Sequence, residues 1–168
     1  MAFMVIKTKL TEKDFIKVNF IILYSRPLFR IIFIIMAISF ILGIVSVIVP
    51  KTFVGEFSIS RIIIPFFVIT FLPAITFFAA KKNYSSNKRI KELIEYKFEK
   101  DYLIIKGESF NSQLTWDKLY KVTQTKKWLF IWQSRQTANA IHKSDILDGE
   151  MNELKQILTE YHVKNNIS

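Results

Sequence analysis

His142 and Asp145 stand three residues apart and are the nearest approach in this chain to an acid–base or metal-ligand pair. A catalytic zinc takes three protein ligands and a structural one four. His162 is the only other histidine, and no second cluster accompanies the pair. A coincidental neighbour pair is therefore the preferred reading. The chain has no cysteine, which excludes disulfides, thiolate metal sites and a cysteine nucleophile. Neither a glycine-rich phosphate loop, a nucleophile elbow nor a metalloprotease helix is present. The residue types predict a protein that is not an enzyme and needs no cofactor or metal.

What remains is the chemistry of contact. Trp116 is expected to anchor a core at a strand end, with Asp117 capping the turn that follows. Trp128 and Trp132 lie four apart in a strand-like run, so they share one face. That face packs inward or forms an aromatic ledge, a candidate partner face. Lys81, Lys82, Lys88, Arg89 and Lys91 follow directly on an apolar run. They are candidate contacts for anionic lipid headgroups, although setting topology is sufficient reason for them.

The elements that must position these residues divide sharply. Ile31 to Val49 and Ile62 to Ala80 are two charge-free runs. Nineteen helical residues reach about 28 Å, close to the roughly 30 Å hydrocarbon core of a bilayer. Inside a bilayer no water satisfies the backbone, so such runs must be helical. The connection Pro50 to Arg61 is short enough to join only antiparallel neighbours, which predicts a transmembrane hairpin over 31–80. Ser39, Gly43 and Ser46 on the first helix, with Thr70 and Ala74 on the second, would let the backbones approach closely. Pro65 and Pro73 predict bends in the second span. Neither span holds an ionisable residue, which disfavours an ion or proton path.

Of the net charge of +10, much flanks the apolar runs. Lys7, Lys9, Lys13, Lys17, Arg26 and Arg30 precede the first, and the five basic residues named above follow the second, against Lys51 and Arg61 between them. Lysine and arginine accumulate on the cytoplasmic side, so both termini are expected in the cytoplasm and the connection outside. This distribution accounts for the charge without a nucleic-acid partner. Heavy use of Ile, Lys, Phe and Asn suggests an AT-rich bacterial gene, hence a bacterial cell membrane.

Around the hairpin the chain reads as soluble. Residues 1–30 predict a short strand within Val5 to Leu10. A helix should start at the capping box Thr11-Glu12-Lys13-Asp14 and break near Pro27. Residues 81–95 read as a basic juxtamembrane helix. Across 96–168 the period shifts towards two. Strands are expected at Tyr96–Glu99, Tyr102–Lys106, Ser112–Trp116, Tyr120–Thr125, Trp128–Gln133 and Thr137–His142. A closing helix presents Met151, Leu154, Ile157, Leu158 and Tyr161. The fold class is α+β: a two-helix hairpin plus a small antiparallel curled sheet or partial barrel closed by a C-terminal helix. The region 90–168 is expected to fold alone unless the N-terminal strand supplies a missing edge.

Particular stretches resemble the YcxB-like bacterial membrane proteins. They are Tyr96-Lys97-Phe98, Leu103-Ile104-Ile105-Lys106-Gly107, Leu114-Thr115-Trp116-Asp117-Lys118-Leu119, Lys121-Val122-Thr123-Gln124-Thr125, Trp128-Leu129-Phe130-Ile131-Trp132 and Ala140-Ile141-His142-Lys143. Where that family commonly has Ile-Pro-Lys, this chain has Ile141-His142-Lys143. The resemblance implies two spans and a C-terminal PH-like domain. It implies little about activity. Two functions follow as expectations: an interaction module presented at the inner leaflet to a membrane protein or anionic lipid, or self-immunity against a membrane-active bacteriocin.

Overall fold

The computed structural model describes residues 4–48, 58–147 and 149–167. Val49 and most of the connection expected outside the membrane lie beyond the described residues. The elements run β1 (Met4–Thr8), α1 (Glu12–Tyr24), α2 (Pro27–Ile48), α3 (Ser60–Ser86), β2 (Ile94–Phe98), β3 (Tyr102–Lys106), β4 (Asn111–Thr115), β5 (Lys121–Gln124), β6 (Trp128–Trp132), β7 (Ala138–His142) and α4 (Glu150–Glu160). Two compact units result. One joins Met1–Phe15 to Tyr84–Ser168, and the other is Ile16–Asn83.

The first unit holds two antiparallel sheets, ordered β1-β2-β3-β4 and β5-β6-β7. The N-terminal strand is part of the first sheet. It pairs with β2 in the register Met4↔Phe98, Ile6↔Tyr96 and Thr8↔Ile94. Alternation puts Met4, Ile6, Tyr96, Phe98, Leu103 and Ile105 on the buried face, where they meet Val122, Leu129, Ile131 and Ile141 of the second sheet. The outer face carries Lys7 directly opposite Glu95, at 3.6 Å, and Lys97 at 3.4 Å from the same carboxylate. Leu154 and Leu158 of α4 are fully buried, with Met151, Ile157 and Tyr161 packed beside them. That is the face expected from the helical period. Val163 and Ile167 beyond the helix complete the core, and Lys164 accepts a bond from Val122 N (2.9 Å). The C-terminal tail thus lies along the outer edge of β5.

A closed barrel does not form. After β4 the chain turns through a 3₁₀ segment, Trp116–Lys118, and the two sheets stay separate. Trp116 belongs to that turn, not to a strand. It is buried and stacks on Phe98 with centroids 6.1 Å apart. Its indole donates to the carbonyls of Lys100 (2.9 Å) and Glu99 (3.2 Å). It is therefore the anchor expected, and it also pins the β2–β3 turn. Asp117 does not cap: it is exposed, and the turn has no side-chain cap.

Helix α1 follows its capping box, which belongs to the first unit. Thr11 Oγ1 accepts from Asp14 N at 3.2 Å. The helix stops at Tyr24, and Pro27, whose missing N–H is harmless at the first helical position, opens α2. Helices α2 and α3 are both long and apolar enough to span a membrane, yet only 6% of the most apolar window of each is buried. They meet closely at Gly43, where a Cβ would stand 2.8 Å from Ile62 Cγ1 and 3.0 Å from the Arg61 carbonyl. α3 continues through Pro65 and Pro73.

The polar stretch 81–95 is not one helix. α3 ends at Ser86; Lys88–Lys91 is a 3₁₀ turn, and β2 begins at Ile94. Asn87 is the reason. Its backbone is extended, and its side-chain oxygen accepts from Arg89 N at 3.0 Å, which favours a new turn over continuation.

Met4 and Ile6 reach the core only through β1, so Ile6→Ala should cost about 2–5 kcal/mol of stability. A fragment of residues 90–168 should fail to melt cooperatively. Restoring residues 1–10 ahead of residue 84 through a short flexible turn should return a cooperative melt, read by circular dichroism.

Candidate functional site

The two chain segments that connect the units meet at one corner of the double sheet. Thr8 stands opposite Ile94. Just beyond them the Tyr84 hydroxyl donates to the Leu10 carbonyl at 3.1 Å, and the Tyr84 ring lies 5.9 Å from that of Phe15. Lys91 folds back onto this joint. Its ammonium donates to the Ser85 carbonyl at 2.9 Å and sits 5.5 Å from the Tyr84 ring centroid.

A groove of about 400 Å³ opens at the same corner, lined by Arg89, Ile90, Ile94, Phe110, Asn111 and Ser112. One of its lining residues, Phe110, packs against a glycine. A Cβ on Gly107 would collide with the Phe110 ring and the Glu92 carboxylate. Glu92 is buried beside them and accepts from Ser109 Oγ (2.6 Å) and Ser109 N (3.0 Å). These bonds, the side-chain one foremost, hold its carboxyl below the usual carboxylate range, with Arg89 adding a smaller effect. Glu92 thereby clasps the 3₁₀ turn to the β3–β4 hairpin.

The candidate headgroup residues fall in two places. Lys81 and Lys82 belong to the last turns of α3, whereas Lys88, Arg89 and Lys91 form the 3₁₀ turn. Lys81, Lys82, Lys88 and Arg89 are exposed; Lys91 is half-buried in the joint just described.

The aromatic ledge is not exposed. Trp128 and Trp132 are only 4% and 3% accessible, and all five residues of β6 are buried. β6 is the central strand of its sheet, and both of its faces are covered. Trp132 Nε1 donates to Thr123 Oγ1 at 2.8 Å, and the Lys121 ammonium lies 4.9 Å from its ring centroid. Trp128 meets the His142 ring edge-on at 4.8 Å.

His142 and Asp145 share a local polar chain. His142 Nδ1 accepts from Ser144 N at 3.3 Å, Ser144 Oγ donates to Asp145 Oδ1 at 3.2 Å, and Thr8 Oγ1 donates to Asp145 Oδ2 at 2.6 Å. The chain ties the 3₁₀ turn after β7 to the buried end of β1. Among the described residues no three His, Asp or Glu side chains converge as metal ligands. Sequence reasoning missed the groove and the Glu92 clasp. Gly107 before a β-turn was the one available sign.

This is an α+β protein whose two long apolar helices fall, in sequence, between two strands that pair with each other in an antiparallel sheet. Residues 98–158 match the family described as YcxB-like protein. No curated protein and no solved structure matches the chain.

Gly107→Ala should destabilise the protein by about 1–3 kcal/mol, as overpacking of a filled site does. Glu92 has a lowered folded-state pKa, so its stabilisation is complete above the ordinary carboxylate range and is lost as pH falls through the folded value. Denaturant melts between neutral and acidic pH should therefore show a smaller acid-side loss for Glu92→Gln than for the parent chain.

Proposed function

We propose that this is an integral protein of a bacterial cell membrane that crosses the bilayer twice and holds a PH-like interaction module at the inner leaflet. The observation that carries this reading is the exposure of α2 and α3. A soluble core helix of such length and apolarity would be mostly buried, and these are not. Ile34, Ile41, Val47, Ile64, Phe71 and Phe78 all present more than half of their surface to the surroundings. Exposed apolar surface on this scale marks a membrane or partner contact, and only helices or closed barrels satisfy their backbone in lipid.

The PH-like description is supported by the element order: four antiparallel strands, three antiparallel strands and a helix packed on the core. The excess of lysine and arginine at the two outer flanks supports cytoplasmic termini. The pairing Thr8↔Ile94 adds independent support, since it brings the flank before the hairpin beside the flank after it. Lys81, Lys82, Lys88 and Arg89 are placed by this reading to meet anionic headgroups, each contributing about 1 kcal/mol near the surface. The module itself works by contact, with no reacting group assigned to it.

A single cysteine placed in the cysteine-free chain reports the topology. In intact cells an impermeant thiol reagent should label Ser58→Cys and spare Leu147→Cys, and both should label after permeabilisation. Labelling of Leu147→Cys alone in intact cells would reverse the orientation.

A further inference from the structure

The strands of the first unit run between two ends, and the ends differ in charge. One end is marked by Thr8 and its partner Ile94, beside Leu10 and Tyr84, which carry the chain to and from the apolar helices. Thr8 Oγ1 donates to Asp145 just past β7, and Lys143 N donates to the Lys127 carbonyl at 2.9 Å. The β5–β6 tip therefore lies at this end too, although the sequence separates it widely from Leu10 and Tyr84. So does the β3–β4 tip, since Lys106 pairs with both Glu95 and Asn111. Lys9, Lys88, Arg89, Lys106, Lys126 and Lys127 all stand exposed here. Of the acids nearby, Glu92 accepts from Ser109, Asp145 from Thr8 and Ser144, and Glu150 from Leu147 N; Glu108 stays exposed. At the opposite end the turns 99–101, 116–120 and 133–137 carry Lys100, Lys118 and Arg135 against Glu99, Asp101 and Asp117, and the charges cancel.

The β5–β6 tip is built to present charge. Thr125 N donates to the Trp128 carbonyl at 2.8 Å, and Trp128 N donates to the Thr125 hydroxyl at 3.1 Å. Lys126 and Lys127 are left as the two residues of the turn, rooted by the buried Trp128. Hairpin turns this short favour Asn-Gly, whose backbone takes φ > 0. Both positions here are lysine, and neither has a positive φ. The preferred turn chemistry is given up for two adjacent, exposed cations.

We propose that the Lys126–Lys127 tip docks on the anionic lipid surface of the leaflet, a second contact that holds the module beside the one at Lys88 and Arg89. This rests on the reading of the chain as an integral membrane protein. Two observations select lipid over another polyanion. Tyr84 follows Ala80, the end of the apolar run, by four residues of α3, about 6 Å of helix. That is within the Debye length of about 8 Å over which a surface charge acts at physiological salt. Leu93, 48% exposed, sets an apolar side chain at the same end as the cations, the combination that a bilayer interface takes up.

The cysteine-free chain accepts a single reporter. Full-length Lys126→Cys and Arg135→Cys, each carrying a thiol-linked fluorophore, are reconstituted in vesicles of phosphatidylcholine, or of phosphatidylcholine with one-quarter phosphatidylglycerol. Both vesicles contain a lipid with a nitroxide on its headgroup as quencher. Each variant loses one cation from a hairpin tip, at opposite ends of the module. Quenching at 126 should be at least roughly threefold stronger in the anionic vesicles than in the neutral ones, and high salt should remove that excess. Quenching at 135 should be weak in both. Adding Lys127→Glu to the Lys126→Cys chain should abolish the excess, whereas Lys127→Arg should keep it. Quenching at 126 no stronger than at 135, or an excess indifferent to salt and to Lys127→Glu, would overturn the docking. Loss of the excess to inorganic phosphate at constant ionic strength would also overturn it, assigning the tip to a free anion. A chain that floats with neutral vesicles after an alkaline wash but shows no excess overturns the docking alone. A chain that leaves neutral vesicles on that wash, yet is quenched at 126 by anionic ones, overturns the anchoring and supports the docking.

Discussion

The pairing of β1 with β2 is the constraint on which the rest depends. Met4 and Ile6 come from the first residues of the chain, yet they close the same buried face as Tyr96 and Phe98. Without them two of the largest core side chains would face water along an unpaired edge. Everything between Thr8 and Ile94 is thus an excursion that must leave and return at neighbouring points. The Tyr84–Leu10 bond and the Lys91–Tyr84 contact hold those points together. The cost of the arrangement is a long-range closure before the sheet can complete. The gain is that the strands before and after the apolar segment share one ladder.

The helical pair and the two-sheet unit are stabilised by different physics. In the two-sheet unit, apolar area is removed from water by alternation across two sheets and by the one-sided helix α4. Trp116 stacks on Phe98 and meets the tilted Tyr161 ring while its indole holds the β2–β3 turn. The Tyr161 hydroxyl reaches on to Asp101 at 3.1 Å, so burial and that acceptor together raise its pKa. In the hairpin the apolar area stays outside, and the helices approach closely at Gly43. Gly43 admits the Ile62 side chain to a distance that any other residue would refuse. Such an element is consistent with a lipid surround, where packing rather than hydrophobic burial draws helices together.

The parts legible in the sequence were those with a strong local period. The six C-terminal strands, the closing helix, the capping box at Thr11 and the two long apolar helices all follow from spacing that repeats within a few residues. Non-local facts were not legible. Nothing in Met4 to Thr8 names β2 as its neighbour, so whether that strand joined the sheet stayed open. The basic run 81–95 looked helical because lysine and arginine suit helices, but the single Asn87 cap redirects it. Trp128 and Trp132 were assigned to one face correctly, but alternation cannot tell that a central strand is covered on both sides. The groove at Phe110 depends on register, which is settled only when the sheet assembles.

The register of the N-terminal strand is therefore the most direct thing to measure. Val5 and Lys97 are directly opposed on the outer face of the sheet, and the chain offers no competing thiol. A full-length chain carrying Val5→Cys and Lys97→Cys should form an intramolecular disulfide under mild oxidation without loss of thermal stability. Free thiols, or exclusively intermolecular bonds, in a folded protein would show that β1 does not close the sheet.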